Sequence, residues 1–192
     1  MAYILFHLEL VWAFVRGDEE ALYRIDATMR GVLLSFLAII IVEPISLLHT
    51  VLFGDVNSIL LFREGGLGFW MANTLLDWGL GPALLYLICR SLGFRDRIMP
   101  LIVSYNWLGV IVLLLTLVPG AIVSSGLGGG GVTVMVTLGI ILFALWISYR
   151  LFRFVLDCPG SMALALSVLL MVANIAATVV LFQLTGHATI AT

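Results

Sequence analysis

The chain has 192 residues, of which 62% are hydrophobic and 10% are charged, and its formal net charge is −2. So little polar surface excludes a water-soluble globular domain of this length, because such a domain must cover its core with polar side chains. The mean hydropathy of +1.20 indicates an integral membrane protein instead. The acidic residues form one short cluster and scattered positions, and this charge pattern makes nucleic acid an unexpected partner.

The first segment is apolar but too short to cross a bilayer. It runs from Tyr3 to Val15 and carries His7 and Glu9, whereas a spanning helix needs about 20 apolar residues. We therefore predict an amphipathic helix that lies in the membrane interface. A signal peptide is the alternative, but the segment lacks a basic start and a small-residue cleavage site, so we expect it to be retained.

A polar lead-in follows the first segment and ends at Arg30. Asp18 and the two glutamates after it predict a helix start, because acids are favoured at the positive end of the helix dipole. Asp26 is a candidate cap for the next helix. We expect a solvated cytoplasmic segment rather than a docking site, since charged faces are usually just solvated. With the first helix, the lead-in forms an N-terminal unit, residues 1–30.

Five later segments pass the test for a membrane span, which is about 20 residues without an exposed charge. They predict that residues 31–192 form one transmembrane domain, a compact bundle of five helices. The spans are Gly31 to Phe53, Leu67 to Cys89, Ile98 to Val123, Val132 to Tyr149, and Ser161 to Leu184. The predicted fold class is therefore all-α, a polytopic membrane protein.

The basic residues give an orientation. All nine are arginines, and eight of them fall on one side of the membrane if each segment crosses once. The ninth, Arg63, lies on the other side next to Glu64. Because short cytoplasmic loops are enriched in basic residues, we predict a cytoplasmic amino terminus and a periplasmic carboxyl terminus. The eight are Arg16, Arg24, Arg30, Arg90, Arg95, Arg97, Arg150 and Arg153.

Two carboxylates lie inside the predicted spans, Glu43 and Asp77. An ionisable side chain at mid-membrane costs about 2.5 to 3.5 kcal/mol and seldom faces lipid. Antiparallel packing of the first two spans predicts that the two lie at one depth and face each other. They form either a proton or cation site or neutral acids bonded to a carbonyl or to an amide such as Asn174, and the proline after Glu43 supports the second interpretation.

Groups for catalysis are sparse. The three histidines are scattered, and Cys89 and Cys158 belong to no set with metal-binding spacing. The glycine run from Gly126 to Gly131 lacks the lysine of a phosphate loop and joins two spans, which predicts a flexible turn. We therefore predict no catalytic site, no metal, no cofactor and no enzymatic activity.

Several short motifs carry a family resemblance. They are the stretch from Arg16 to Asp26, Gly31, the run from Ser35 to Ala38, and Tyr105-Asn106-Trp107. In this order they resemble bacterial Yip-domain proteins, a family of five-span membrane proteins, over most of the chain. The resemblance implies a cytoplasmic amino-terminal region and a compact five-helix domain in the bacterial inner membrane.

Tyr105 and Asn106 are the polar residues that this resemblance places within a span. An amide at that depth bridges neighbouring helices and holds their register, which we favour. The alternative is that both residues belong to a cavity that faces the cytoplasm.

Two functions fit these predictions. The first is a non-enzymatic scaffold, assembly factor or accessory subunit, whose partners are the lipid bilayer and either another membrane protein or a second copy of the chain. The alternative is a small proton- or cation-coupled carrier or channel that uses the carboxylates Glu43 and Asp77 together with Asn174.

Overall fold

The computed structural model describes residues 2–52, 66–126 and 130–184. Within these ranges the regular structure is helical throughout, with no strand, as the all-α prediction requires. Two short 3-10 helices, Glu19–Arg24 and Arg95–Arg97, precede α-helices. The α-helices are α1 Ala2–Val15, α2 Met29–Ser35, α3 Leu37–Leu52, α4 Gly66–Ser91, α5 Ile98–Ser124, α6 Gly130–Leu156 and α7 Gly160–Leu184.

Four helical stretches are long and apolar enough to cross a membrane, among the residues that the structure describes. They are Met29–Leu47, Arg95–Ile122, Gly130–Leu156 and Gly160–Leu184. The remaining predicted span coincides with α4, which has 26 residues but carries Asn73, Asp77 and Arg90 and is therefore less apolar. The membrane class follows from the four stretches alone.

The helix boundaries differ from the predicted spans at two places. The first span is interrupted at Phe36, whose backbone N–H donates to the carbonyl of Leu33, three residues earlier, and α3 then continues. The fourth span was predicted to end at Tyr149, but α6 runs on to Leu156. Arginine is a good helix former, so the helix passes through the arginines beyond Tyr149. Phe53, the predicted end of the first span, and 127–129 within the predicted glycine turn lie outside the described residues.

The prolines inside the spans do not end helices. Pro44 lies within α3, Pro82 within α4 and Pro119 within α5. Each removes one backbone donor, and in lipid a helix tolerates this when neighbouring helices surround it.

Helix α5 is the centre of the bundle. It contacts α1, α2, α3, α4 and α6, and α7 packs on α4 and α6. The stretch of α5 from Leu101 to Val110 is buried except for two partly buried positions, Tyr105 and Gly109. Because this stretch of α5 is surrounded, its polar residues, Ser104, Tyr105 and Asn106, meet protein rather than lipid.

The polar lead-in has two caps. The carboxylate of Asp18 accepts from the N–H of Ala21 at 3.3 Å, which confirms the predicted helix start. The predicted cap at Asp26 was wrong. Thr28 directly precedes α2, and its hydroxyl oxygen accepts from the N–H of Gly31 at 3.0 Å. Asp26 lies two residues too early to cap and instead accepts from the Thr28 hydroxyl at 2.6 Å.

Helix α1 packs against α5 and the first 3-10 helix. Its inward side chains recur three, four and seven residues apart, as one face of a helix requires. The outward side carries Glu9 together with exposed Leu5, Phe6 and Trp12, so α1 is not divided into one polar and one apolar face. The buried residues are His7, Leu10, Val11 and Phe14.

Candidate intramembrane polar cavity

A cavity of about 310 Å³ lies between α4, α5, α6 and α7. Its wall is mostly apolar, but six polar or charged side chains from all four helices interrupt it. Of the five residues that the sequence singles out, four line this cavity, and only Glu43 does not. The six are Asp77, Tyr105, Asn106, Ser148, Ser167 and Asn174.

Asp77 is the one ionisable carboxylate in the cavity wall. Its Oδ2 accepts a hydrogen bond of 2.8 Å from Nδ2 of Asn73, one turn earlier on α4. The lining contains no arginine and no histidine. The carboxyl group of Asp77 therefore bonds to an amide of its own helix and meets no basic side chain in this cavity.

Glu43 is held outside the cavity by a different donor. Its Oε1 accepts from the indole Nε1 of Trp78 at 3.0 Å, and Trp78 is a buried residue of the cavity wall. The two carboxylates were predicted to face each other. They are close enough to interact electrostatically, but each is bonded to its own donor. Trp78 went unnoticed in the sequence, although its position next to Asp77 was a usable signal.

Tyr105 packs against α4 in the cavity wall. Its ring lies against Gly81 of α4, where an added Cβ would come within 2.6 Å of the ring carbon Cε1. Asn174 of α7 lines the same cavity as Tyr105. The sequence offered Asn174 as an amide partner for either carboxylate, but Asp77 accepts from Asn73 and Glu43 accepts from Trp78. Tyr105 and Asn174 therefore both form part of the cavity wall.

Asn106 bridges two helices and also lines the cavity. Its Nδ2 donates to the hydroxyl oxygen of Ser35 at 2.8 Å, and both side chains are buried. The Ser35 hydroxyl in turn donates to the carbonyl of Val32 at 2.7 Å. The bond between Asn106 and Ser35 joins α5 to α2, and Asn106 also lines the cavity. A structural bridge thus forms part of the cavity wall.

The sequence did not reveal the environment of His7. The residue is buried, and its Nδ1 lies 2.8 Å from the carbonyl oxygen of Tyr3. Since a carbonyl only accepts, we assign the proton to Nδ1. The Nε2 atom then accepts from the N–H of Asp26 at 3.4 Å, and the ring stacks on Trp107 with 5.7 Å between centroids. The apolar residues three, four and seven positions after His7 were the signal that this face of α1 is buried.

The cavity suits particular chemistry. A carboxylate, a phenol and two amides offer oxygen atoms, the ligands that hard cations prefer, and a carboxylate also exchanges protons. The volume falls at the small end of the range for ligand pockets, which are mostly apolar with a few convergent polar groups. Among the described residues, no group of three or more histidine, cysteine, aspartate or glutamate side chains is arranged to hold a metal ion.

The two cysteines lie where helices end. Cys89 is in the last turn of α4, and Cys158 follows the end of α6. Both are free and buried in the part of the chain that the structure describes. Burial raises the pKa of the Cys158 thiol, so little of the nucleophilic thiolate is present there near neutral pH.

No family model, curated protein or solved structure matches this chain. The resemblance to bacterial Yip-domain proteins therefore stays a prediction. Three residues of its motifs belong to the site described above. Ser35 and Asn106 share a buried hydrogen bond, and Tyr105 lines the cavity.

Proposed function

We propose that α4 is a fifth span and that the amino terminus is cytoplasmic, in a five-span arrangement like that of bacterial Yip-domain proteins in the inner membrane. The length of α4 and its packing against α5 and α7 support this count. Arg97 bonds to the carbonyl of Val155 and Arg150 pairs with Glu19, so arginines from two different connections meet at one end of the bundle. The positive-inside rule makes this end cytoplasmic, with α1 at the interface.

We propose that the cavity around Asp77 binds a cation or exchanges a proton, and that the protein is a small proton- or cation-coupled carrier or channel. One observation carries the proposal. Asp77 of α4, Tyr105 and Asn106 of α5, and Asn174 of α7 converge on one cavity whose lining contains no basic residue.

Energetics favour a working role for this carboxylate. An acid inside a span raises the free energy of insertion by about 2.5 to 3.5 kcal/mol. A structural role would offset this cost with a salt bridge, for which the cavity lining has no basic side chain, or with hydrogen bonds, of which Asp77 has the one from Asn73. A carboxylate that instead faces a cavity with other oxygen ligands is the arrangement found along proton and ion pathways.

The contact-based role favoured by the sequence takes second place. It rests on the scarcity of catalytic groups, whereas the cavity gives the carrier or channel a defined site. Five spans are few for a pathway within one chain, so the proposal includes a homodimer.

Ion flux through liposomes tests the proposal. The purified protein is reconstituted, and proton and cation fluxes are followed with trapped indicators under an imposed gradient. We expect Asp77→Asn to reduce flux at least about tenfold, because it removes a charged hydrogen-bonding group. Asp96→Asn is the matched control. Asp96 is exposed between α4 and α5, so the same chemical change there should leave flux at the parent level.

Glu43→Gln distinguishes the contribution of Glu43 to flux from that of Asp77. It keeps an oxygen that can accept from Trp78, so a modest effect on flux is expected. Absence of flux in the parent, or equal flux in the parent, Asp77→Asn and Asp96→Asn, would disprove the carrier or channel.

A further inference from the structure

A second pocket, of about 620 Å³, lies at the arginine-rich end of the bundle and is separate from the cavity around Asp77. The beginning of α5, the end of α6 and the first 3-10 helix form its wall. Three arginines and two acids line it, which gives the pocket a net positive charge. They are Arg97, Arg150, Arg153, Glu19 and Asp157.

The guanidinium group of Arg150 is occupied by contacts within the protein. Its Nε and Nη2 atoms donate to Oε1 of Glu19 at 3.2 and 3.0 Å. Its guanidinium carbon lies 4.9 Å from the ring centroids of both Phe14 and Trp146. Arg150 therefore fixes the lead-in to α6 and neutralises Glu19, and the other two arginines are left to supply the free charge of the pocket.

Arg97 and Arg153 have unused donors. Arg97 donates one hydrogen bond, from Nη1 to the carbonyl of Val155 at 2.9 Å, and its contact with Asp157 is long at 3.9 Å and solvent-exposed. Such an exposed pair contributes little. Arg153 donates from Nη1 to the Tyr149 hydroxyl at 2.9 Å. A guanidinium has five N–H groups, so most donors of both residues remain available within the described structure.

Ser104 gives an independent indication of a ligand. Its side chain lines the same pocket and is 1% exposed. Its hydroxyl has no hydrogen-bond partner among the residues that the structure describes. A buried hydroxyl without a partner is destabilising, and such a group in a native protein calls for an explanation. A ligand oxygen in the pocket would provide the missing partner.

We propose that this pocket binds a phosphate group. Paired guanidinium groups match the oxygens of a phosphate in geometry and charge, and a serine hydroxyl is a common additional donor. Arg97 and Arg153 supply the charge, and Ser104 donates to a phosphate oxygen. This site is independent of the proposed carrier or channel, because none of its residues lines the cavity around Asp77.

Two sources offer this chemistry, an anionic phospholipid headgroup and a soluble phosphate. Helices α5 and α6 are both apolar enough to cross a membrane, and the pocket lies where α5 begins and α6 ends, at headgroup level. Basic pockets between spans on the cytoplasmic side suit lipid headgroups. The two sources are separated by the choice of probe.

Binding is measured on the full chain in mild detergent by native mass spectrometry, with three probes. Phosphatidylglycerol carries the phosphate on a lipid, diacylglycerol with the same acyl chains lacks it, and inorganic phosphate carries it without lipid. We expect phosphatidylglycerol to bind more tightly than diacylglycerol, and Arg153→Gln to weaken it about tenfold, as expected for a charged hydrogen bond. Ser104→Ala should weaken binding without lowering the melting temperature, because its hydroxyl supports no bond in the fold.

Arg95→Gln is the matched control, since Arg95 is exposed at the same end of the bundle but outside the pocket. Weaker phosphatidylglycerol binding in Arg153→Gln and Ser104→Ala, with Arg95→Gln at the parent level, supports a lipid source. The same pattern with inorganic phosphate alone supports a soluble source. Equal weakening by Arg95→Gln and Arg153→Gln, or no binding of either phosphate probe, overturns the proposal.

Discussion

Gly81→Ala is expected to lower the free energy of unfolding by about 1 to 3 kcal/mol and to abolish ion flux. A Cβ at Gly81 would lie 2.6 Å from Cε1, 2.8 Å from the hydroxyl oxygen and 3.0 Å from Cζ of Tyr105. The ring is rigid and lies against α4, so either α4 and α5 separate or Tyr105 moves into the cavity. Overpacking of this kind typically costs 1 to 3 kcal/mol. Denaturant unfolding in detergent and liposome flux measure the two effects.

Gly79→Ala is the matched control on the same helix. An added Cβ there has no atom within 4 Å, so stability should stay level or rise by up to about 1 kcal/mol from the better helix propensity of alanine. Tyr105→Leu in the Gly81→Ala background should recover part of the lost stability, because it removes the colliding ring atoms. Equal stability of Gly81→Ala and Gly79→Ala would contradict the close packing of Tyr105 on α4.

Gly31→Ala is expected to be the more damaging change for folding, with a loss of about 2 to 3 kcal/mol. A Cβ at this position would overlap the carbonyl oxygen of Asp26 and lie 2.8 Å from its Cγ. Asp26 cannot shift freely, because its N–H donates to His7 and its carboxylate accepts from Thr28. The collision therefore exceeds the roughly 1 kcal/mol that alanine adds as a helix former. Thermal unfolding followed by circular dichroism measures the loss.

Gly139→Ala serves as the control for Gly31→Ala. Gly139 lies within α6, and an added Cβ there meets no atom within 4 Å. Stability should remain at or slightly above the parent level. If Gly31→Ala and Gly139→Ala unfold at the same temperature, Asp26 is not packed against α2 as described.

The sequence was sufficient for the all-α membrane class, because apolar runs of about 20 residues have few other interpretations. It also identified four of the six polar or charged residues that line the cavity, since polar side chains within spans avoid lipid and turn toward protein. The count of crossings is harder to derive. The hydropathy of α4 is lowered by Asn73 and Asp77, the same polar residues that bring a carboxylate to the cavity.

Pairing between helices was not predictable from the sequence. Glu43 bonds to Trp78, 35 residues away, and Asn106 bonds to Ser35, 71 residues away. Each pair depends on the rotation of two helices about their axes, and depth within the membrane does not determine rotation. Equal depth suggested that Glu43 and Asp77 face each other, but it could not show that each carboxylate has its own donor, Trp78 for Glu43 and Asn73 for Asp77.

The motif Tyr105-Asn106-Trp107 shows why α5 organises the bundle. Successive residues on a helix point about 100° apart, so three adjacent side chains face three directions. The ring of Tyr105 packs against α4, the amide of Asn106 bonds to α2, and the ring of Trp107 stacks on His7 of α1. A single buried helix is needed to reach three neighbours in this way, and the burial of α5 was not evident from a sequence that is mostly apolar, like those of the other spans.

Chemical modification of Asp77 in the membrane tests the central claim most directly. A lipid-soluble carbodiimide is added to proteoliposomes, and the modified fraction of each carboxylate is quantified by peptide mass spectrometry alongside ion flux. We predict that flux declines in proportion to the modification of Asp77 and is independent of the modification of Asp96. Flux that persists when Asp77 is fully modified would contradict a pathway through this cavity.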